Sequence, residues 1–106
     1  MIDWNRVAEL RDEVGAEDFR EVVDLFLEEV DEAIARMQSM PDTASLEQDL
    51  HFLKGSSLNL GFAAFSALCR DGERAAREGR SEIINMVEIF ESYARSRSEF
   101  VSRAVA

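Results

Sequence analysis

Apolar residues recur along the chain at three- and four-residue spacing, and glycine, proline and serine divide the pattern into five helical segments. Asp3 reads as the N-cap of a short helix to Val14, with Trp4, Val7, Leu10 and Val14 in phase. Ile2 and Val7 stand where a hydrophobic staple would put them, and Gly15 is the stop. The next helix is expected from Glu17 to Ser39. Its stripe of Phe19, Val22, Val23, Phe26, Leu27, Val30, Ile34 and Met37 reads as a core face, with Asp18, Glu21, Asp24, Glu28, Asp31 and Glu32 outside it. Met40-Pro41-Asp42-Thr43 is a turn, because proline biases the residue before it away from helix.

A third helix follows, with Ser45-x-x-Gln48 as a candidate capping box, Asp42 and Thr43 as competing caps, and Gly61 as a C′ glycine. The fourth spans Phe62 to Glu78 and stops at Gly79. It turns Phe62, Phe65, Cys69, Gly72 and Ala76 inward, and Arg70, Arg74 and Arg77 to the opposite side. Ser81 is expected to cap the fifth, which reaches Val101 with Ile83, Val87, Phe90, Ala94 and Val101 inward, flanked by Met86 and Tyr93. Arg97 falls on the same stripe, so packing is expected to loosen towards the C-terminus. Short connections make neighbouring long helices antiparallel. The pattern predicts an all-α fold: one domain over residues 1–106, an antiparallel up-and-down four-helix bundle with a short additional N-terminal helix.

Composition narrows the function classes. No apolar run approaches the roughly 18 residues of a membrane span. Met1-Ile2-Asp3-Trp4 lacks the basic and apolar regions of a signal peptide, which points to the cytoplasm. The lone Cys69 excludes an internal disulfide and a cysteine-rich zinc site. The net charge of −10 is uneven: residues 1–50 hold fifteen acids and four arginines, residues 51–106 eight bases and seven acids. Such acidity argues against nucleic acid, whose phosphates need a basic footprint, and against anionic membranes. The plain role of the acidic half is a solvated face.

Candidate chemistry concentrates in the third helix, which carries the only histidine and the only lysine, three residues apart. At about 100° per residue, His51, Lys54, Gly55 and Leu58 share one side, while Leu46, Leu53, Ser57 and Leu60 share the other with Leu50 at its edge. A core histidine would lie among those leucines, and this one points away. Gly55 costs the helix about 1 kcal/mol against alanine. One turn from His51, it clears space for another molecule to approach the imidazole, and Lys54 offers a cation to balance an anion on the ring. Ser57 lies in the packed stripe, Ser56 on its flank, and no second histidine is present to act as base, so serine hydrolysis is disfavoured.

His51-x-x-Lys54-Gly55-Ser56-Ser57, with Leu60-Gly61 behind it, resembles the signature of histidine-containing phosphotransfer (HPt) domains. The resemblance runs from Asp3-Trp4 through Leu25-Phe26-Leu27-Glu28-Glu29 to Phe65 and Leu68-Cys69. It implies that His51 accepts a phosphoryl group and relays it between receiver-domain aspartates, that Lys54 stabilises phosphoryl charge, and that Gly55 keeps the histidine accessible. Trp4 would anchor a first helix over one end of the bundle. Glu73 stands where family members often carry glutamine or an acid near the histidine. Orientation of His51, a pair with Lys54 and a salt bridge to an arginine are all open to it.

The expected partner-facing surface comprises Ala44, Gln48, Leu58, Arg70, Glu73, Arg74 and Arg77. The three arginines are either a solvated face or a positive rim that steers an acidic receiver. The resemblance implies receiver domains and a hybrid histidine kinase as partners, with magnesium on the receiver. A monomer is expected, and the start at Met1 with an intact bundle points to a chain that works alone. One histidine without a facing Glu/His set cannot fill a coordination sphere, so no metal or cofactor is expected in the chain. The chain would carry phosphoryl groups rather than turn over a substrate by itself. A helical adaptor that binds a receiver or kinase without being phosphorylated is the alternative. A dimeric kinase core is weaker, because no ATP-binding domain is present.

Overall fold

The carboxylate of Asp3 accepts the backbone N–H groups of Asn5 and Arg6 and starts the first helix as expected. The computed structural model describes residues 2–104, and the elements follow in the order α1 (Trp4–Val14), α2 (Phe19–Ser39), α3 (Leu46–Asn59), α4 (Ala63–Arg77), a 3-10 turn (Ser81–Ile83) and α5 (Met86–Ala104). Five α-helices and no strand occur among the described residues; a single bridge pairs Ile2 with Phe62.

Helix α2 begins at Phe19 rather than Glu17, because residues 16–18 form a turn closed by Asp18 N–H on the Gly15 carbonyl. The capping box at Ser45 does not form. Ser45 is already in helical backbone geometry, and its hydroxyl turns to Asp49 at 3.1 Å. Asp42 serves the turn instead, accepting the Ala44 N–H at 2.9 Å.

Gly61 ends α3 at φ +77°, with its N–H on the Leu58 carbonyl and the Phe62 N–H on the Ser57 carbonyl. This is the Schellman arrangement, which satisfies the last α3 carbonyls and turns the chain directly into α4. The N-terminal segment crosses the same point, where Asp3 N–H donates to the Gly61 carbonyl at 2.6 Å. Contacts then descend α3 as α4 advances: Ser66 on the Lys54 carbonyl, Glu73 on His51, Arg77 on Glu47. These two helices are therefore antiparallel, and they form the most extensive helix pair in the molecule. Gly72 permits their approach, since a Cβ there would lie 3.0 Å from Leu50 Cδ1.

The fifth helix departs from expectation in start and register. Ser81 opens only a 3-10 turn, and α5 starts after Asn85, whose side chain accepts the Glu88 N–H at 3.1 Å. Ile83 and Val87 are 58% and 64% exposed, and Ala94 is exposed too. The buried face is Ile89, Ser92, Tyr93, Ser96 and Phe100, flanked by Met86, Phe90 and Val101. The 3-10 turn breaks the phase, and two small serines occupy interior positions that hydrophobicity alone cannot mark. Ala75 likewise replaces Ala76 as the buried alanine of α4, and Leu50 is fully buried rather than at the edge of its stripe.

Packing does not loosen towards the C-terminus. Arg97 forks onto Asp31 at 2.9 and 3.0 Å, Tyr93 donates to the same carboxylate, and Phe100 is completely buried. Phe100 stacks on Trp4 and meets Phe62 edge-on, so one aromatic cluster ties α1, α4 and α5 together.

Candidate functional site

Helix α3 buries Leu50, Leu53 and Ser57, with Leu60 buried just past its end, and turns His51 outward, its side chain 68% exposed. Across the seam, α4 presents Glu73, whose side chain is only 5% exposed. A carboxylate that deep needs partners, and it has three. Oε2 accepts from His51 Nδ1 at 2.7 Å and from Arg77 Nη2 at 3.1 Å, while Oε1 receives Lys54 Nζ at 2.6 Å. The hydrogen bond from Lys54 does most to hold the Glu73 carboxyl below the usual carboxylate range; burial opposes it, and the His51 contact adds to the lowering.

An ionised carboxylate has no proton to give. His51 Nδ1 must therefore carry the hydrogen of this bond, and in the ring's neutral form the lone pair is then on Nε2. The arrangement is a nucleophilic nitrogen held in one tautomer by an anion behind the ring. Position 55 is open: a Cβ built on Gly55 meets no atom within 4 Å.

Neighbouring nucleophiles are occupied. Ser57 donates to the Leu53 carbonyl, and Ser66 to the Lys54 carbonyl at 3.3 Å. Burial, with Glu73 adding, pushes the Cys69 thiol up to about 12, so it stays protonated at neutral pH. Among the described residues, no group of three or more His, Cys, Asp or Glu is placed to hold a metal ion, and no helix is long and apolar enough to cross a membrane.

The residues picked from sequence divide into those gathered at His51 and those held elsewhere. Lys54, Glu73 and Arg77 join His51 in one cluster. Glu73 makes contacts of all three kinds at once, with His51, Lys54 and Arg77. Gln48 and Leu58 lie exposed on α3, and Ala44 is exposed in the turn before it. Arg70 and Arg74 are held instead by Asp71, at 3.3 and 3.2 Å. Sequence reasoning passed over Glu47, which accepts Arg77 Nε at 3.2 Å, and Asp71. A signal for the first was present: Glu47 and His51, like Glu73 and Arg77, are four residues apart, and the hairpin at Gly61 brings the pairs face to face.

Searches of curated proteins and of solved structures return no match. The family model of the Hpt domain matches residues 21–98, a span that takes in α3 and α4 entire. Hpt domains are phosphocarrier modules of two-component signalling that act with receiver and kinase components. With most of its length matched and the histidine standing exposed within it, this chain belongs to the Hpt domain family, and its role is phosphotransfer.

Proposed function

We propose that the chain is a phosphorelay intermediate that takes a phosphoryl group from a receiver-domain phosphoaspartate onto His51 Nε2 and hands it to another receiver aspartate. The observation that carries this reading is the 2.7 Å bond from His51 Nδ1 to the ionised Glu73, which directs the free lone pair to solvent. In the transfer step Nε2 attacks phosphorus, the P–O bond to the aspartate breaks, and its electron pair leaves with the receiver carboxylate. The proton on Nδ1 stays in place. The ring becomes a phosphorylated imidazolium, and the Glu73 carboxylate stabilises that positive charge. Return transfer reverses each change, so no general base is required.

Lys54 keeps Glu73 ionised and supplies positive charge near the phosphoryl oxygens. Gly55 leaves room for the receiver, which brings its own aspartate and magnesium. Ala44, Gln48, Leu58, Arg70 and Arg74 extend the docking surface around this centre. The partners are receiver domains and a hybrid histidine kinase, and the chain works as a cytoplasmic monomer. As a single Hpt domain, its four long helices form an antiparallel up-and-down bundle. The antiparallel α3–α4 pair and the cross-links Arg36–Asp49 and Arg97–Asp31 support that arrangement.

Incubation with a phosphorylated receiver is expected to place acid-labile, base-stable phosphate on the wild-type chain and none on His51→Gln, with helicity and melting unchanged. Histidine-type phosphate on His51→Gln would reassign the acceptor. A wild-type chain that binds the receiver without gaining phosphate would make it an adaptor.

A further inference from the structure

Glu47 and Arg77 complete a four-residue rectangle on the α3–α4 seam. Glu47 lies one turn before His51 on α3, and Arg77 one turn after Glu73 on α4. Arg77 links the two acids, giving Nε to Glu47 Oε2 at 3.2 Å and Nη2 to Glu73 Oε2 at 3.1 Å. That Glu73 oxygen is the one that receives His51 Nδ1.

We propose that Glu47, paired with Arg77, balances the charge of the phosphoryl site and so keeps His51 a carrier that releases phosphoryl groups rather than a sink that retains them. The inference rests on the phosphotransfer role of His51 argued above. With the ring neutral, the carboxylates of Glu47 and Glu73 offset the charges of Lys54 and Arg77. Transfer to Nε2 adds a dianionic phosphoryl group and leaves the ring cationic, because Nδ1 keeps its proton while the electron pair of the broken P–O bond departs on the receiver carboxylate. The site thereby gains one negative charge.

Glu47, one turn away, repels that added charge from within the Debye length of about 8–10 Å. Arg77 attracts it. Without Glu47 the cluster would hold one uncompensated positive charge and bind the phosphoryl group more tightly. Coulomb interaction across water over such a distance corresponds to about a two- to fivefold change in the exchange equilibrium at low salt. Because the Glu47 and Arg77 side chains are 46% and 59% exposed, their pair contributes little to folding, and its effect on the chemistry can be read apart from stability.

The test mixes phosphorylated receiver with the chain at concentrations below their association and measures all four species at equilibrium. Glu47→Gln is expected to move the exchange constant about two- to fivefold towards phosphorylated His51, and Arg77→Gln to move it the other way. The double variant should return close to wild type, Glu47→Asp should match wild type, and added salt should shrink the single-variant shifts. Melting temperatures recorded alongside should differ little for Glu47→Gln and Glu47→Asp, whereas Arg77→Gln, which takes a partner from the buried Glu73, should melt lower. If wild type takes up phosphate and Glu47→Gln shows an unchanged constant, Glu47 is only a solvated ion-pair partner and the inference is overturned. A double variant that departs as far as either single change overturns it too. If wild type takes up no phosphate, the phosphotransfer reading itself fails and this inference falls with it.

Discussion

A side chain at position 55 would leave α3 one turn beyond His51, and a Cβ placed there meets nothing within 4 Å. Glycine is thus not needed for packing, and it weakens the helix by up to about 1 kcal/mol against a better helix former. Gly55→Gln should melt at the wild-type temperature or higher, yet exchange phosphoryl groups much more slowly, because its amide enters the space a receiver must occupy. Gly55→Ala should fall between the two in rate. Thermal melts and transfer rates on the three proteins decide this, and a variant that loses stability but keeps its rate would make Gly55 a residue of the fold. At this scale the sequence was highly legible: His51, Lys54 and Gly55 lie within five positions on one helix, so helical spacing alone relates them. Glu73 was only partly legible. Its three partners sit on two helices, and spacing along one helix says nothing about contacts across a seam.

Between elements, the α3–α4 hairpin positions the histidine against its carboxylate. Gly61 holds φ +77°, and a Cβ there would stand 2.6 Å from the Asp3 carbonyl oxygen and 3.1 Å from Val7 Cγ2. Gly61→Ala combines an unfavourable backbone region with a clash against backbone, so it should destabilise the fold by more than about 1 kcal/mol in denaturant melts. Transfer should also slow, because relief of the clash displaces α4 relative to α3 and lengthens the His51–Glu73 bond. A variant of wild-type stability and rate would show that the turn tolerates a side chain. The stop at Gly61 was readable because glycine at C′ is a local signal. The start of α5 was not read, although Asn85-x-x-Glu88 carries the residues of a cap. Ser81 offered an earlier cap, and the Asn85 cap, with Ile84 and Ile89 beside Gly72, accompanies the restart at Met86.

For the molecule as a whole, a net charge of −10 would repel an acidic receiver, so whatever positive surface lies near His51 has a disproportionate effect on encounter. The arginines of α4 do not form one uniform rim. Arg77 belongs to the Glu47–Glu73 cluster, whereas Arg70 and Arg74 share Asp71 and remain exposed. Arg70→Ala with Arg74→Ala should lower the association rate with a receiver severalfold at low salt, with a difference that fades at high salt and an unchanged exchange equilibrium. Equal association rates at low salt would reduce the pair to a solvated face. The amino-acid sequence by itself determined the helical class, the bounds of α1, α2 and α4 to within two residues, and the exposed histidine with its lysine and glycine. Each of these depends on neighbours within about one helical turn, which periodicity and capping residues encode directly. Tertiary structure alone decided the register of α5, the seating of Arg97 on Asp31, and the gathering of Lys54 and His51 on Glu73. Those contacts join residues far apart in the chain. A charged side chain drawn out of water is stable only where another element supplies its counter-charge, and no local pattern names that partner.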